Sequence, residues 1–442
     1  MEIPEENTAK RCGRKVISLE YTSMDLRNWC DIIENASRKA GLDFYPQEFE
    51  IVDYKDMIGY EAYSGMPSRY PHWSFGKSYD KADSLYKYNI SGLPYEMVIN
   101  SNPCLAYLMK DNSLLLQILT MAHVYGHNDF FKNNRLFKEG TRASYTIEMF
   151  KNNADMIREY VNDPSIGYNG VEKILNSAHS IRFQANRTIG MAKPKDDAEE
   201  PKDDLIAFIV KHGDLEEWQK NVLNIVRAET AYFLPQIETK IMNEGWASYW
   251  HYKTLNQLDL SPSLHLEFIK RHNDVITPLV GMINPYYLGF KMFQDLEKRY
   301  GMDKIFEVRA LERDESFIRR YLTEELCNEM NLFQYAEKGS NYVVEEISDH
   351  SGWTKIRSTL CSTCGINMIP NIVVDDISKK DNTLVLRHIY EGRELNSTYM
   401  EATLKHIFDL WKYPVELNTV IDKNKTKVCC EESKKISYTT LR

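Results

Sequence analysis

The sequence holds no GxxxxGK[S/T] loop, no GxGxxG turn after a strand and no GxSxG elbow. It therefore lacks the backbone devices that seat nucleotides and dinucleotides or present a nucleophilic serine. It also lacks an excess of positive charge: 55 Lys and Arg against 64 Asp and Glu leave a formal net charge of −9. Such a chain has no broad basic face for nucleic acid or for an anionic membrane. Long hydrophobic runs are missing too. The stretch from Leu114 to Ala122 is interrupted by Gln117 and Thr120 and falls well short of the roughly 20 apolar residues that span a bilayer. The opening MEIPEENTAKRCGRK carries no apolar segment of the secretory type. These absences predict a cytoplasmic protein with no nucleic-acid partner and no membrane insertion. The eight cysteines, at 12, 30, 104, 327, 361, 364, 429 and 430, are then expected as free thiols.

What is present suits a folded chain of more than one core. It has 442 residues, of which 43% are hydrophobic and 27% charged. Residues 1–20 read as a loose lead-in. Apolar residues at helical spacing dominate from Thr22 to about 337. Two stretches stand apart. Residues 60–80, rich in Gly, Pro and aromatics, read as an ordered loop, and 191–204, MAKPKDDAEEPKDD, as a flexible charged insertion. Residues 95–137 read as mostly helical, with a break at Asn102-Pro103. After 338 the pattern changes to β-branched runs and amphipathic helices in the order β-α-β-β-α-β. The class is thus α+β: a large helical domain (21–337), a small ferredoxin-like domain (338–422) and a polar tail (423–442).

Three segments could carry chemistry. In MAHVYGHNDFFKNN (121–134), His123 and His127 are four apart, so a helix presents both on one face. Two imidazoles at this spacing are a common pair of metal ligands. The HExxH base is absent, because Val124 stands in the second position. In IMNEGWASYWHY (241–252), Glu244 and His251 are two turns apart and share a face. Glu244 would be a third ligand and His251 a fourth, around a divalent ion, with zinc expected. Three protein ligands plus water make an open, catalytic-type site; four make a closed one. Without the usual base, Asp129 or Glu229 would have to take the proton. In PHWSFGK (71–77), His72 and Lys77 could cover a substrate pocket, and Asn128 could contribute from the His helix. The bland alternative is that these groups only satisfy one another in the core. For Glu96, Asn100, Asn102, His179 and His272 it is the preferred reading. Cys361 and Cys364 form a lone CxxC, a weak metal signal.

HWSFGK, YEMVINSNPCLAYLM, AHVYGHNDFFKNN, MNEGWASYWHY, INPYYLGFKMFQDL and DESFIRRYL occur in this order over residues 20–340. Together they resemble the stage V sporulation protein R family of bacteria. The resemblance implies a cytosolic factor required for spore cortex formation, in a family also found in bacteria that make no spores. It implies a pathway shared with a serine protein kinase and a von Willebrand-type protein. His72, His123, His127, Asn128, Glu244 and His251 fall inside these motifs. The resemblance names a process and leaves the chemistry open between a metal-dependent hydrolase and a non-catalytic regulatory or scaffolding protein.

Overall fold

A computed structural model describes residues 21–87, 96–185, 201–279, 282–332, 334–338, 341–346, 349 and 352–441. The expected lead-in 1–20 and most of the expected insertion lie outside the described residues. The chain opens with α1 (Ser23–Lys39), started by a capping box in which Thr22 and Asp25 satisfy each other's backbone N–H. It continues through β1 (Gln47–Val52), α2 (Tyr54–Ala62), α3 (Trp73–Lys87), β2 (Glu96–Ile99) and β3 (Cys104–Met109). The three strands form a sheet in the order β1-β3-β2, with β1 parallel and β2 antiparallel to β3.

Two expectations are corrected here. The segment 60–80 is no continuous loop: α2 ends and α3 begins within it, leaving only 63–72 irregular. The segment read as helix before Leu114 is instead β2 and β3. Strands of four and six residues give too short an apolar run for periodicity to distinguish from a buried helix.

Then come α4 (Leu114–Asn133), α5 (Arg135–Gly140), α6 (Thr146–Asn162), α7 (Gly167–Ile181), α8 (Leu205–His212), α9 (Glu217–Glu238) and α10 (Lys240–Gln257). They are followed by α11 (Pro262–Val275), α12 (Pro285–Tyr300), α13 (Met302–Leu311), α14 (Asp314–Tyr321) and α15 (Glu324–Glu329). Ser113 caps α4, its hydroxyl accepting from Leu116 N. Every residue of α4 from Leu115 to Phe131 is buried, so this helix is the centre of the molecule rather than a surface element.

Helix α10 packs between α4 and α12 at backbone contact. A Cβ on Gly126 would lie 2.7 Å from Ala247 Cα, and one on Gly245 would lie 2.3 Å from Gly289 Cα. No side chain larger than hydrogen fits at either crossing. The Asp314 carboxylate accepts from Ile241 N and Met242 N, both at 2.9 Å. It fills the donor positions that the first turn of α10 leaves open.

The C-terminal part begins with a hairpin of β4 (Gln334–Lys338) and β5 (Asn341–Glu346), followed by α16 (Gly352–Thr363). Then β6 (Ile372–Ile377), β7 (Leu384–His388), α17 (Ser397–Trp411), β8 (Val415–Ile421), β9 (Asn424–Cys430) and β10 (Ile436–Thr440) build one sheet. Its order is β10-β9-β8-β7-β6, antiparallel except for β7 and β8. The α+β class stands, but the ferredoxin-like strand order does not. The expected first strand pairs with β4 outside this sheet, and β8 takes the place beside β7. The expected tail is also corrected, because 423–442 supplies β9 and β10. Val374, Leu386, Leu404 and Leu417 share one core with Val171, Leu175, Ile206 and Val222 of α7, α8 and α9. The sheet is therefore packed onto the helical part.

The glycine crossings are testable by denaturant unfolding. Gly289→Ala is expected to lose about 2–4 kcal/mol, at the upper end of overpacking costs. Gly59→Ala, in α2 with nothing within 4 Å of its added Cβ, is expected to be neutral or to gain up to about 1 kcal/mol. Equal effects at the two positions would refute backbone contact between α10 and α12.

Candidate functional site

The crossing of α4 and α10 brings a cluster together. His123 and His127 project from α4 toward Glu244 of α10. His127 Nε2 lies 3.5 Å and His123 Nε2 3.9 Å from Glu244 Oε2. Glu96, at the start of β2, reaches the same imidazoles from another side, with its Oε1 4.0 Å from His123 Nε2. Glu96, His123 and His127 each offer a ligand atom, all within 4.8 Å of one another. The imidazole side chains are 5% and 6% exposed, while the two carboxylates keep 20% and 19%. The carboxylates are thus the accessible part of an otherwise buried group.

The outer ring nitrogens are held from behind. His127 Nδ1 donates to Asn243 Oδ1 at 2.9 Å. An amide oxygen can only accept, so the proton sits on Nδ1 and the Nε2 lone pair faces the carboxylates. His123 Nδ1 meets His251 Nδ1 at 2.9 Å, and His251 Nε2 meets His272 Nδ1 at 2.8 Å. Burial, reinforced by neighbouring imidazoles, pushes His127 and His272 down to about 4 and His251 well below its ordinary value. These rings are neutral at neutral pH. These contacts occupy Nδ1 of His123 and leave its Nε2 facing the carboxylates.

The carboxylates are tuned in opposite directions. Burial would raise Glu244, but His123, His127 and Lys240 together hold it below the usual range. Burial raises Glu96, with Glu244 adding to the shift and His123 opposing it. Tyr286 of α12 stacks on His123 with ring centroids 6.1 Å apart. The Glu244 carboxylate, then burial, push its phenol far up, so it stays protonated and donates toward Glu244.

The cluster unites three of the expected site residues: His123, His127 and Glu244. His251 is not among the groups facing the centre, because both its ring nitrogens are taken by His123 and His272. Asp129 is buried where it accepts from Asp43 N and Trp246 Nε1, both at 2.8 Å, and faces Arg309 Nε at 3.4 Å. Burial raises it to about 6 against the pull of Arg309. Glu229 pairs with Arg69 at 2.6 Å and accepts from Asn153. Neither carboxylate joins the His pair, so neither serves as its base. Asn128 clamps β1 to α4: it accepts from Tyr45 N and donates to Tyr45 O and Gln47 Oε1. His72 is buried between Ser74 and Asn176, with its ring tilted against that of His179. Lys77 is exposed on α3, with its Nζ 5.9 Å from the Trp73 ring. The Cys361 and Cys364 thiols donate to the backbone carbonyls of Glu315 and Cys361. Glu96, Asn243 and Tyr286 were not among the residues the sequence singled out for the site. Of these, Asn243 is the neighbour of Glu244 and one turn from Ala247, the contact of Gly126.

Fold and site define an α+β protein, mainly helical, with a His-x3-His helix answered by carboxylates from a second helix and a strand. The family model described as SpoVR like protein matches residues 20–200 and 191–369, and that of the SpoVR-like C-terminal domain matches 370–422. The chain belongs to the SpoVR family. It is 34% identical over 463 residues to the Escherichia coli (strain K12) protein described as "Uncharacterized protein YcgB", covering 87% of this chain and 90% of that one. No solved structure matches. No helix among the described residues is long and apolar enough to cross a membrane.

The neutral histidines have a pH consequence. Their folded values lie below the ordinary 6.5. As pH falls through 6.5 the unfolded chain takes up protons that the folded chain refuses until about 4. Their contribution to stability is therefore full above 6.5 and is lost between 6.5 and 4. Urea midpoints of chelator-treated protein should fall over this window, and the fall should be smaller in His272→Gln. A slope identical in the variant would contradict a buried, neutral His272.

Proposed function

We propose that this SpoVR-family chain is a sporulation-related factor acting in spore cortex formation through a mononuclear metal centre with hydrolase-type chemistry. His123, His127 and Glu244 would hold the ion, and zinc is the expected metal. The observation that carries this reading is the convergence of two imidazole Nε2 atoms on Glu244 Oε2 at 3.5 and 3.9 Å. Ligands about 2.0–2.1 Å from a tetrahedral zinc lie about 3.4 Å apart, so the two imidazole–carboxylate distances need only a small contraction. Two neutral imidazoles and a carboxylate suit zinc chemically. The bonds from Asn243 and His251 match the supports that orient metal-binding histidines.

A bound zinc would lower the pKa of its water toward neutrality. The chain's own groups supply the rest. Glu96, with its carboxyl raised by burial, faces the imidazole pair and fills the base role that Val124 leaves vacant. Tyr286, held protonated, donates a hydrogen bond toward the charge that builds up on a carbonyl under attack. A peptide or cell-wall precursor is the substrate class that would join this chemistry to cortex assembly. Val124 itself favours a second reading, a regulatory or scaffolding protein working with the serine protein kinase and the von Willebrand-type protein of the expected pathway.

Zinc titration of chelator-treated protein decides between them. One zinc per chain is expected. His127→Ala or Glu244→Ala should weaken binding by more than about 100-fold, and Asn243→Leu by about 10–100-fold. Glu96→Gln should keep most of the affinity. Failure to take up stoichiometric zinc, or equal affinity in His127→Ala, would remove the metal centre and leave the second reading.

A further inference from the structure

A cavity of about 380 Å³ opens beside the cluster, with Asn243 and Glu244 in its wall. The rest of the wall comes from the ends of α7 and α9 and the start of α10, together with Ser64, Arg69 and Tyr70. Its size is that of a small-molecule pocket. Its charge is unusual for so acidic a chain. Arg69, Arg182 and Lys240 all line it, and Glu244 is the one carboxylate that does.

These cations are not equivalent. Arg69 is 4% exposed and ion-paired with Glu229 at 2.6 Å, although its buried Nε has no partner. Arg182 is partly buried and rests on the Phe183 ring, with its guanidinium carbon 4.6 Å from the centroid. Among the described residues, no carboxylate lies within ion-pair distance of Arg182 or of Lys240. Among the described residues Arg182 thus faces the cavity without a carboxylate partner, while Lys240 shares the wall with Glu244, to which it is attracted. Phe183, Phe233, Val226 and Ile237 give the same cavity an apolar wall.

The geometry points to this cavity as the substrate pocket of the centre, built for a small ligand or chain end bearing an anionic group, carboxylate or phosphate. That group would lie between Arg182 and Lys240, its apolar part against Phe183 and Phe233, and its reacting bond toward Glu244. This rests on the metal-centre reading for its catalytic meaning, but the anion site itself needs no ion. A guanidinium and an ammonium together suit both anions: Arg can bind either in a bidentate fork, and Lys adds a point charge.

The test uses chelator-treated full-length protein and calorimetric titration with three probes: benzoylglycine, phenyl phosphate and the neutral benzoylglycinamide. Both anions, or the preferred one, should bind, and the amide at least about tenfold more weakly. Arg182→Gln and Lys240→Gln should each weaken anion binding about tenfold, as loss of a charged hydrogen bond does. The relative strength of the carboxylate and phosphate arms identifies the source of the anion. Lys240 is exposed, so Lys240→Gln keeps the test sound should Arg182→Gln disturb the fold. Equal binding of the amide, no binding of either anion, or unchanged affinity in Lys240→Gln would overturn the pocket assignment. His127→Ala separates the two readings. Anion binding retained there, with zinc binding absent in the wild type, removes the metal and keeps the pocket; zinc binding without anion binding does the reverse.

Discussion

The backbone contact of α10 with two neighbours is the constraint on which the site depends. Gly126 sits between His123 and His127 on α4 and lies against Ala247; Gly245 follows Glu244 and lies against Gly289 of α12. The residues that permit close approach are interleaved with those that carry functional groups. Helices with ordinary side chains at their crossings lie 8–10 Å apart. The closer approach here sets how far the Glu244 carboxylate stands from the two imidazoles. The crossing also brings Tyr286 to the same carboxylate, because Gly289 is one turn further along α12. Asp314, bound to the Ile241 and Met242 N–H groups in the first turn of α10, fixes where that helix begins.

A second constraint is electrical. The cluster puts two carboxylates against a pair of buried imidazoles. One carboxylate, Glu244, takes the favourable share of the hydrogen bonds and charge; the other, Glu96, is pushed toward protonation partly by the first. Two acids in different environments are how a site obtains one group that binds as an anion and another that holds its proton more tightly. The histidine chain behind His123 and the amide behind His127 remove the ambiguity of ring orientation. Loss of either support would leave an imidazole free to turn without changing any of the groups at the centre.

The His pair and Glu244 were legible because the helical period alone places 123 and 127 on one face and because the flanking patterns are long. Strict use of that period would also have removed two false candidates. At 100° per residue, Asn128 and Asp129 turn about 100° and 200° away from His127, which is where the structure finds them, against β1 and against Trp246. His251 shares a face with Glu244 but sits about 10 Å further along the axis, next to the back of His123 rather than the front. Glu96 was illegible for a different reason. It lies on a four-residue strand in a segment whose apolar run also fits a helix, and its partner strands are set by pairing with residues far away in sequence. The last hairpin was missed because its turn, Asp422-Lys423, takes φ of 48° and 63° without a glycine. Asn-Gly and Asp-Gly, the usual signals of such a turn, are absent there.

Net charge gave the sign of the surface and misled about the pocket. The chain carries −9, yet the cavity beside the cluster gathers three of its cations. Folding achieves this by spending acids selectively. Glu229 pairs with the buried Arg69, whereas among the described residues Arg182 and the exposed Lys240 have no carboxylate at ion-pair distance. An acidic exterior then repels small anions at long range, while the cations of the wall attract them at short range. Such an arrangement trades speed of capture for selectivity, since only a ligand that also fills the apolar side against Phe183 and Phe233 recovers the cost of entering.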